Sequence, residues 1–202
     1  MIGKWNKSVI LSYVGLMFSL LGMFLCIRGY DVKYALVCFG FAGVCDMFDG
    51  TVARRCKRTK EEKAFGIELD SLIDVASFAV FPIIICMSMG LNTKYHLPIY
   101  ALYLIFAVAR LAYFNIALAD ENKAIKYYEG LPVTMSSFFL PIVYLLSYVV
   151  DKNIFNIIYS VQMLIIAILF ILKIKIPKPG LKVSFAIFGI GLIIAYLYLF
   201  VL

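Results

Sequence analysis

Seven apolar runs, each about as long as a bilayer-crossing helix, constrain this chain more than any other feature. They lie near Ser8–Ile27, Lys33–Arg54, Phe65–Gly90, Leu97–Ala119, Val133–Val150, Ile154–Leu172 and Val183–Val201. A hydrocarbon core takes roughly 20 helical residues to cross. Inside it every backbone N–H and C=O must be satisfied within the protein, which leaves helices or a closed barrel. Runs of this length, without two-residue alternation, specify helices. Only 15% of the 202 residues are charged and mean hydropathy is +0.96, so too little polar surface exists to cover a soluble domain of this length. The expected fold is an all-α, polytopic membrane bundle of about seven helices, forming a single domain over residues 1–202. Basic residues precede the first run, as in a signal peptide. That run is long for such a segment and no A-x-A site closes it, so a mature helix is expected. Five cysteines, an odd number without a C-x-x-C pair, lie mostly in apolar sequence. Buried free thiols are expected, and neither a disulfide framework nor a zinc site.

The net charge of +7 would suggest nucleic acid in a soluble protein. Here topology accounts for it. With the N-terminus inside, the segments 1–7, 54–63, 120–132 and 173–182 hold fourteen Lys and Arg, against four in the outside segments. The positive-inside rule therefore predicts a cytoplasmic N-terminus, and no nucleic-acid partner is needed. The segment 120–132 has room for an interfacial helix. Arg110 is the one Arg or Lys in the interior of a run, away from its ends.

Against this background four aspartates stand out: Asp46, Asp49, Asp70 and Asp74, all within 29 residues. Each carboxylate at membrane depth costs a few kcal/mol even on lenient insertion scales. The topology puts them at the cytoplasmic ends of the second and third runs. At 100° per residue, Asp46, Asp49, Gly50 and Ala53 share one helical face, as do Gly66, Asp70, Asp74 and Ser77. Oxygen-only ligands select hard cations such as Mg²⁺, Mn²⁺ or Ca²⁺. Four carboxylates suffice for two ions, an arrangement suited to phosphoryl chemistry. Gly50, Ala53 and Gly66 leave space beside them for a bound ligand. Plainer readings exist for each part: small residues serve helix packing, single carboxylates pair with snorkelling lysines, and acidic helices line ion pathways. A divalent-cation transporter or channel is thus the alternative of another class. No acidic partner in the later runs continues such a path.

The pattern D-x-x-D-G-x-x-A-R, eleven residues, then G-x-x-x-D-x-x-x-D, resembles the signature of the CDP-alcohol phosphatidyltransferases. Asp46, Asp49, Gly50, Ala53, Arg54, Gly66, Asp70 and Asp74 fill its eight fixed positions. The spacer is longer than the commonest form by a few residues of the basic loop. The resemblance implies a six-helix core plus extra elements, a homodimer, and a site open to the cytoplasm and inner leaflet. It implies that Asp46, Asp49, Asp70 and Asp74 hold two divalent cations, Mg²⁺ or Mn²⁺. Gly50, Ala53, Arg54 and Gly66 would shape the CDP site, and Asp74 would be the general base. The implied reaction transfers a phosphatidyl group from a CDP-linked lipid to an alcohol and releases CMP. Its place is phospholipid biosynthesis in the cell membrane.

The residues that follow resemble one branch of the family. L-D-S-L-I-D-V-A-S-F (Leu69 to Phe78), A-R-L-A-Y-F-N (Ala109 to Asn115) and E-G-L-P (Glu129 to Pro132) are similar to phosphatidylserine synthases. Ser71 and Val75 stand where glycerol-phosphate enzymes tend to carry proline and lysine. The resemblance spans roughly residues 40–140. The acceptor it implies is L-serine, with CDP-diacylglycerol or CDP-archaeol as the lipid. Inositol phosphate or glycerol phosphate are the alternatives. Serine carries a carboxylate, so its pocket needs a cation. Arg110 leads, followed by Lys123 and Lys126, with Ser77 and Asn115 as weaker candidates for the serine or the lipid phosphate. The first run lacks the Pro-Asn start often found in the family and offers Asn6, Ser8 and Ser12 instead.

Overall fold

In the computed structural model, which describes residues 3, 6–119, 127–177 and 181–202, the apolar runs form helices. We number them α1 (Lys7–Ile27), α2 (Val32–Arg55), α3 (Lys60–Ser88), α4 (His96–Ala119), α5 (Val133–Tyr148), α6 (Lys152–Ile171) and α7 (Leu181–Tyr196, continued by a π turn over Leu197–Val201). Among the described residues, α1, α2, α3, α4 and α6 are long and apolar enough to cross a membrane. Large apolar side chains such as Met17, Ile105, Ile116 and Phe200 point outward. That surface suits lipid. All five cysteines are free thiols, four of them buried.

Local signals set the ends. Asn6 caps α1 by accepting from the Ser8 N–H, and Asp31 caps α2 by accepting from the Lys33 N–H. α3 starts at Lys60, several residues before the expected Phe65. Thr59 and Glu62 form a reciprocal capping box, with bonds of 2.8 and 3.2 Å. Lys60, Glu61, Glu62 and Lys63 are good helix formers outside the apolar run. The basic stretch expected as a loop is therefore mostly helix, and the break between α2 and α3 narrows to Cys56–Thr59.

α1 buries Ser12, Gly15, Ser19, Gly22 and Cys26, a stripe repeating every three or four residues. It packs along α2 and the second half of α3. A Cβ at Gly22 would land on the Phe81 ring, which also packs edge-on against Phe39. Inside α3, Val75–Val80 widens into a π turn. Pro82 has no N–H for the Phe78 carbonyl one turn back, and the Tyr103 hydroxyl of α4 donates to it instead, at 3.0 Å. α5 carries Pro141 and begins and ends in 3₁₀ turns. Its carbonyls at Phe139, Leu140 and Pro141 accept from Gln162, Tyr159 and Tyr198 of α6 and α7.

The segment after α4 holds a feature that hydropathy did not show. Tyr127–Glu129 pairs antiparallel with Lys175–Pro177, Glu129 opposite Lys175. The next residues are tied to the end of α6: Gly130 N–H donates to the Ile174 carbonyl and Leu131 N–H to the Leu169 carbonyl. Gly130 has φ +77°, and a Cβ there would meet the Phe170 carbonyl oxygen, so only glycine fits. This two-strand ribbon fixes where Pro132 and the start of α5 stand.

Candidate functional site

A cleft of about 860 Å³ lies between α2, α3, α4, α5 and α7. Along α2 its wall is apolar from Leu36 to Val44 and polar from Asp46 to Arg54. α7 adds apolar residues such as Ile187, Leu192 and Ile194, and α3 adds Asp70, Ser71 and Asp74. The space is therefore two-natured, acidic at one end and hydrocarbon-like along the rest.

At the acidic end, Asp46, Asp49 and Asp70 each offer a carboxylate oxygen within 4.8 Å of the others. Ser12 of α1 donates to Asp49 Oδ2 at 2.7 Å, so the first helix orients one member of the triad. Asp74 stands beside it, with its carboxyl group within hydrogen-bonding reach of Asp46. It is only 6% exposed, and its Oδ1 has no hydrogen-bond partner among the described residues. Arg110 of α4, 8% exposed, is the one buried cation among the described residues. It attracts Asp46 and Asp74 and stacks its guanidinium 5.0 Å over the Phe114 ring. One cation cannot balance four clustered carboxylates. The donor set is all oxygen, and a buried carboxylate oxygen lacks a partner. These residues fit hard divalent cations.

Of the residues singled out from sequence, Asp46, Asp49, Gly50, Arg54, Asp70, Asp74, Arg110 and Asn115 line this cleft together. Gly50 leaves open space next to Arg54, whose Nη2 donates to Thr51 at 3.0 Å. Ala53 and Gly66 are not part of the lining, and Gly66 faces Arg58 and Val9. Ser77 differs most from its expected face. It is 1% exposed and lies 2.7 Å, hydroxyl to hydroxyl, from Ser19 of α1. The π turn that starts at Val75 ends the 100° phase on which Asp74 and Ser77 would share a face. Lys123 and Lys126 lie outside the described residues. Thr51, Thr134 and Ser137 line the cleft without having been singled out. Their short polar side chains carry no spacing signal in an apolar chain. Ser12, one of the three polar residues that the first run offered, reaches Asp49.

Over 164 residues, 70% of the chain, it is 35% identical to a CDP-diacylglycerol–serine O-phosphatidyltransferase of Saccharomyces cerevisiae, covering 57% of that protein. It is 33% identical over 116 residues to an archaetidylserine synthase of Methanothermobacter thermautotrophicus, 54% of this chain and 48% of that one. It is 34% identical over 118 residues to a CDP-diacylglycerol–serine O-phosphatidyltransferase of Helicobacter pylori, 56% of this chain and 47% of that one. The chain spans about half the length of the curated relatives it matches. The family model for CDP-alcohol phosphatidyltransferase matches residues 5–196, which takes in nearly the whole bundle and all four aspartates. The chain belongs to the CDP-alcohol phosphatidyltransferase family.

Proposed function

We propose that this protein transfers the phosphatidyl group of a CDP-linked lipid to the hydroxyl of L-serine and releases CMP. The observation that carries the reading is the cleft itself, with four clustered carboxylates and a buried arginine at the head of an apolar groove. A CDP-linked lipid has the same two natures, a charged diphosphate and hydrocarbon chains. The names of the relatives, two of them serine transferases of CDP-diacylglycerol and one an archaetidylserine synthase, support serine as the acceptor.

In this reading Asp46, Asp49, Asp70 and Asp74 hold two divalent ions, Mg²⁺ or Mn²⁺, whose charge offsets that of the diphosphate and of the departing CMP. Gly50 leaves room for the nucleotide to approach α2, and Arg54 lies at the rim to meet its phosphates. Asp74 takes the proton of the serine hydroxyl. The serine oxygen bonds to the phosphorus that carries the lipid as the bond from that phosphorus to the bridging oxygen breaks. The electron pair leaves on CMP, and the proton rests on Asp74 until the site opens to water. The apolar groove keeps the lipid chains in place, while serine enters from the polar end. The same reading makes the protein a homodimer of the cell membrane with its site on the cytoplasmic side. The fourteen-to-four distribution of basic residues supports that side.

The test is an acceptor screen. Purified protein in vesicles with CDP-diacylglycerol or CDP-archaeol, and with Mg²⁺ or Mn²⁺, is expected to release CMP when given L-serine and to form a serine lipid. Turnover with inositol phosphate or glycerol phosphate but not serine would move the acceptor and keep the chemistry. No CMP with any alcohol would end the reading.

Arg110 is assigned to the serine carboxylate, as the buried cation nearest the acidic end. Arg110→Ala is expected to raise the serine KM by about tenfold to a hundredfold, the worth of a hydrogen bond to a charged group. The KM for CDP-lipid should change much less. Equal effects on both would place Arg110 at the lipid phosphate instead.

A further inference from the structure

One polar contact in the cleft wall plays no part in the reaction as described above. Ser71, the residue after Asp70 on α3, donates its hydroxyl to Asn115 Oδ1 of α4 at 2.9 Å. Both side chains line the cleft, together with Asp70 and Arg110. An asparagine amide has an acceptor oxygen and a nitrogen with two donor hydrogens. The Ser71 bond takes one of the two lone pairs of the oxygen and fixes the plane of the amide. What Asn115 can then offer a ligand is its Nδ2 donors. Arg110, on the same helix, carries donors only. The α4 wall of the cleft is thus rich in donors, while the facing side, with Asp46, Asp49 and Asp70, is made of acceptors.

We infer that Asn115, oriented by Ser71, is a second binding group for the carboxylate of the acceptor alcohol and helps to select an amino acid over a neutral alcohol. This rests on serine being the acceptor. A carboxylate has two oxygens with about four lone-pair directions, more than one guanidinium edge uses. A site with fixed donors for it rejects an alcohol that lacks it, because those donors are then left unpaired in a desolvated wall. Ser71 is a positioning residue in this scheme. It touches no substrate and acts through the amide it holds. Without its hydroxyl the Asn115 side chain is free to rotate, and its acceptor oxygen would face the carboxylate part of the time.

The experiment measures CMP release by the full chain in vesicles, varying serine and CDP-diacylglycerol separately. Asn115→Ala should raise the serine KM by about 10- to 100-fold and leave the CDP-diacylglycerol KM within about twofold. Ser71→Ala should raise the serine KM several-fold with kcat nearly unchanged, and Ser71→Thr, which keeps the hydroxyl, should restore it. The double variant should resemble Asn115→Ala alone, because Ser71 works only through Asn115. Asn115→Asp, which puts a like charge beside the serine carboxylate, should weaken serine at least as much as Asn115→Ala. A serine KM unmoved by Asn115→Ala, or serine and CDP-diacylglycerol KM values rising together, would overturn the inference. So would additive effects of the two substitutions. If the unmodified chain released no CMP with serine, the acceptor reading would fail and this inference with it, a result distinct from the others.

Discussion

Asp74→Asn is expected to lower CMP release by about 10²- to 10⁴-fold, the usual worth of a positioned general base, while leaving the protein folded and able to bind Mn²⁺. Asparagine has the shape of aspartate but takes no proton at neutral pH. Asp74 is buried against Asp46, and among the described residues its Oδ1 has no hydrogen-bond partner. A buried carboxylate oxygen without a donor is costly, which suits an atom whose partner arrives with the substrate. The triad of closely grouped carboxylates consists of Asp46, Asp49 and Asp70, without Asp74. Mn²⁺ binding, read by electron paramagnetic resonance of the free ion, should therefore persist, weakened less than by the loss of a residue of the triad. Turnover within tenfold of the unmodified protein would take the base role away from Asp74.

The acidic triad was legible because its signal is chemical and local. Carboxylates are rare in apolar sequence, and spacings of three and four put them on helical faces whatever the tertiary context. Asp46, Asp49 and Asp70 accordingly meet across two helices. Helix number and order were legible for a related reason, since hydropathy reports a whole element at once. Helix ends were less so. The T-x-x-E of Thr59 and Glu62 was readable as a capping box, but a boundary drawn where apolarity ends misses a polar first turn. The π turn in α3 had half a signal. Pro82 marks the missing donor, but the rescue by Tyr103 needs the packing of α4 to be known. That turn is why Ser77 faces Ser19 and not the cleft. The ribbon of Tyr127–Glu129 with Lys175–Pro177 joins three-residue pieces far apart in sequence, too short to show alternation. Contacts such as Ser12 with Asp49, and Ser71 with Asn115, pair short polar side chains across different helices. Nothing periodic in either partner announces the other.

Asp70→Asn should separate metal binding from catalysis in the opposite way. Asp70 belongs to the triad and, in the proposed function, is a ligand in its own right. Losing a residue that merely orients a ligand typically costs 10- to 100-fold in metal affinity, so losing a ligand should cost about 100-fold or more. CMP release should fall with it, below about one-hundredth of the starting rate at fixed Mn²⁺. Stability should move the other way in the absence of metal. Asp70 is crowded by Asp46 and Asp49 in a desolvated wall, and replacing one of three mutually repelling carboxylates by a neutral amide relieves part of that cost. In chelator, Asp70→Asn is expected to unfold at a higher temperature than the unmodified protein. With Mn²⁺ added, the unmodified protein should gain stability through binding to the folded state, and the variant should gain little. This crossing of the two stability curves depends on the ion being held by the triad, independently of any substrate. If Asp70→Asn instead abolished Mn²⁺ flux into vesicles, and neither protein released CMP, the aspartates would be a permeation site and the transferase reading would fall. If Mn²⁺ stabilised both proteins equally, the triad would not be the metal site, whatever the activity.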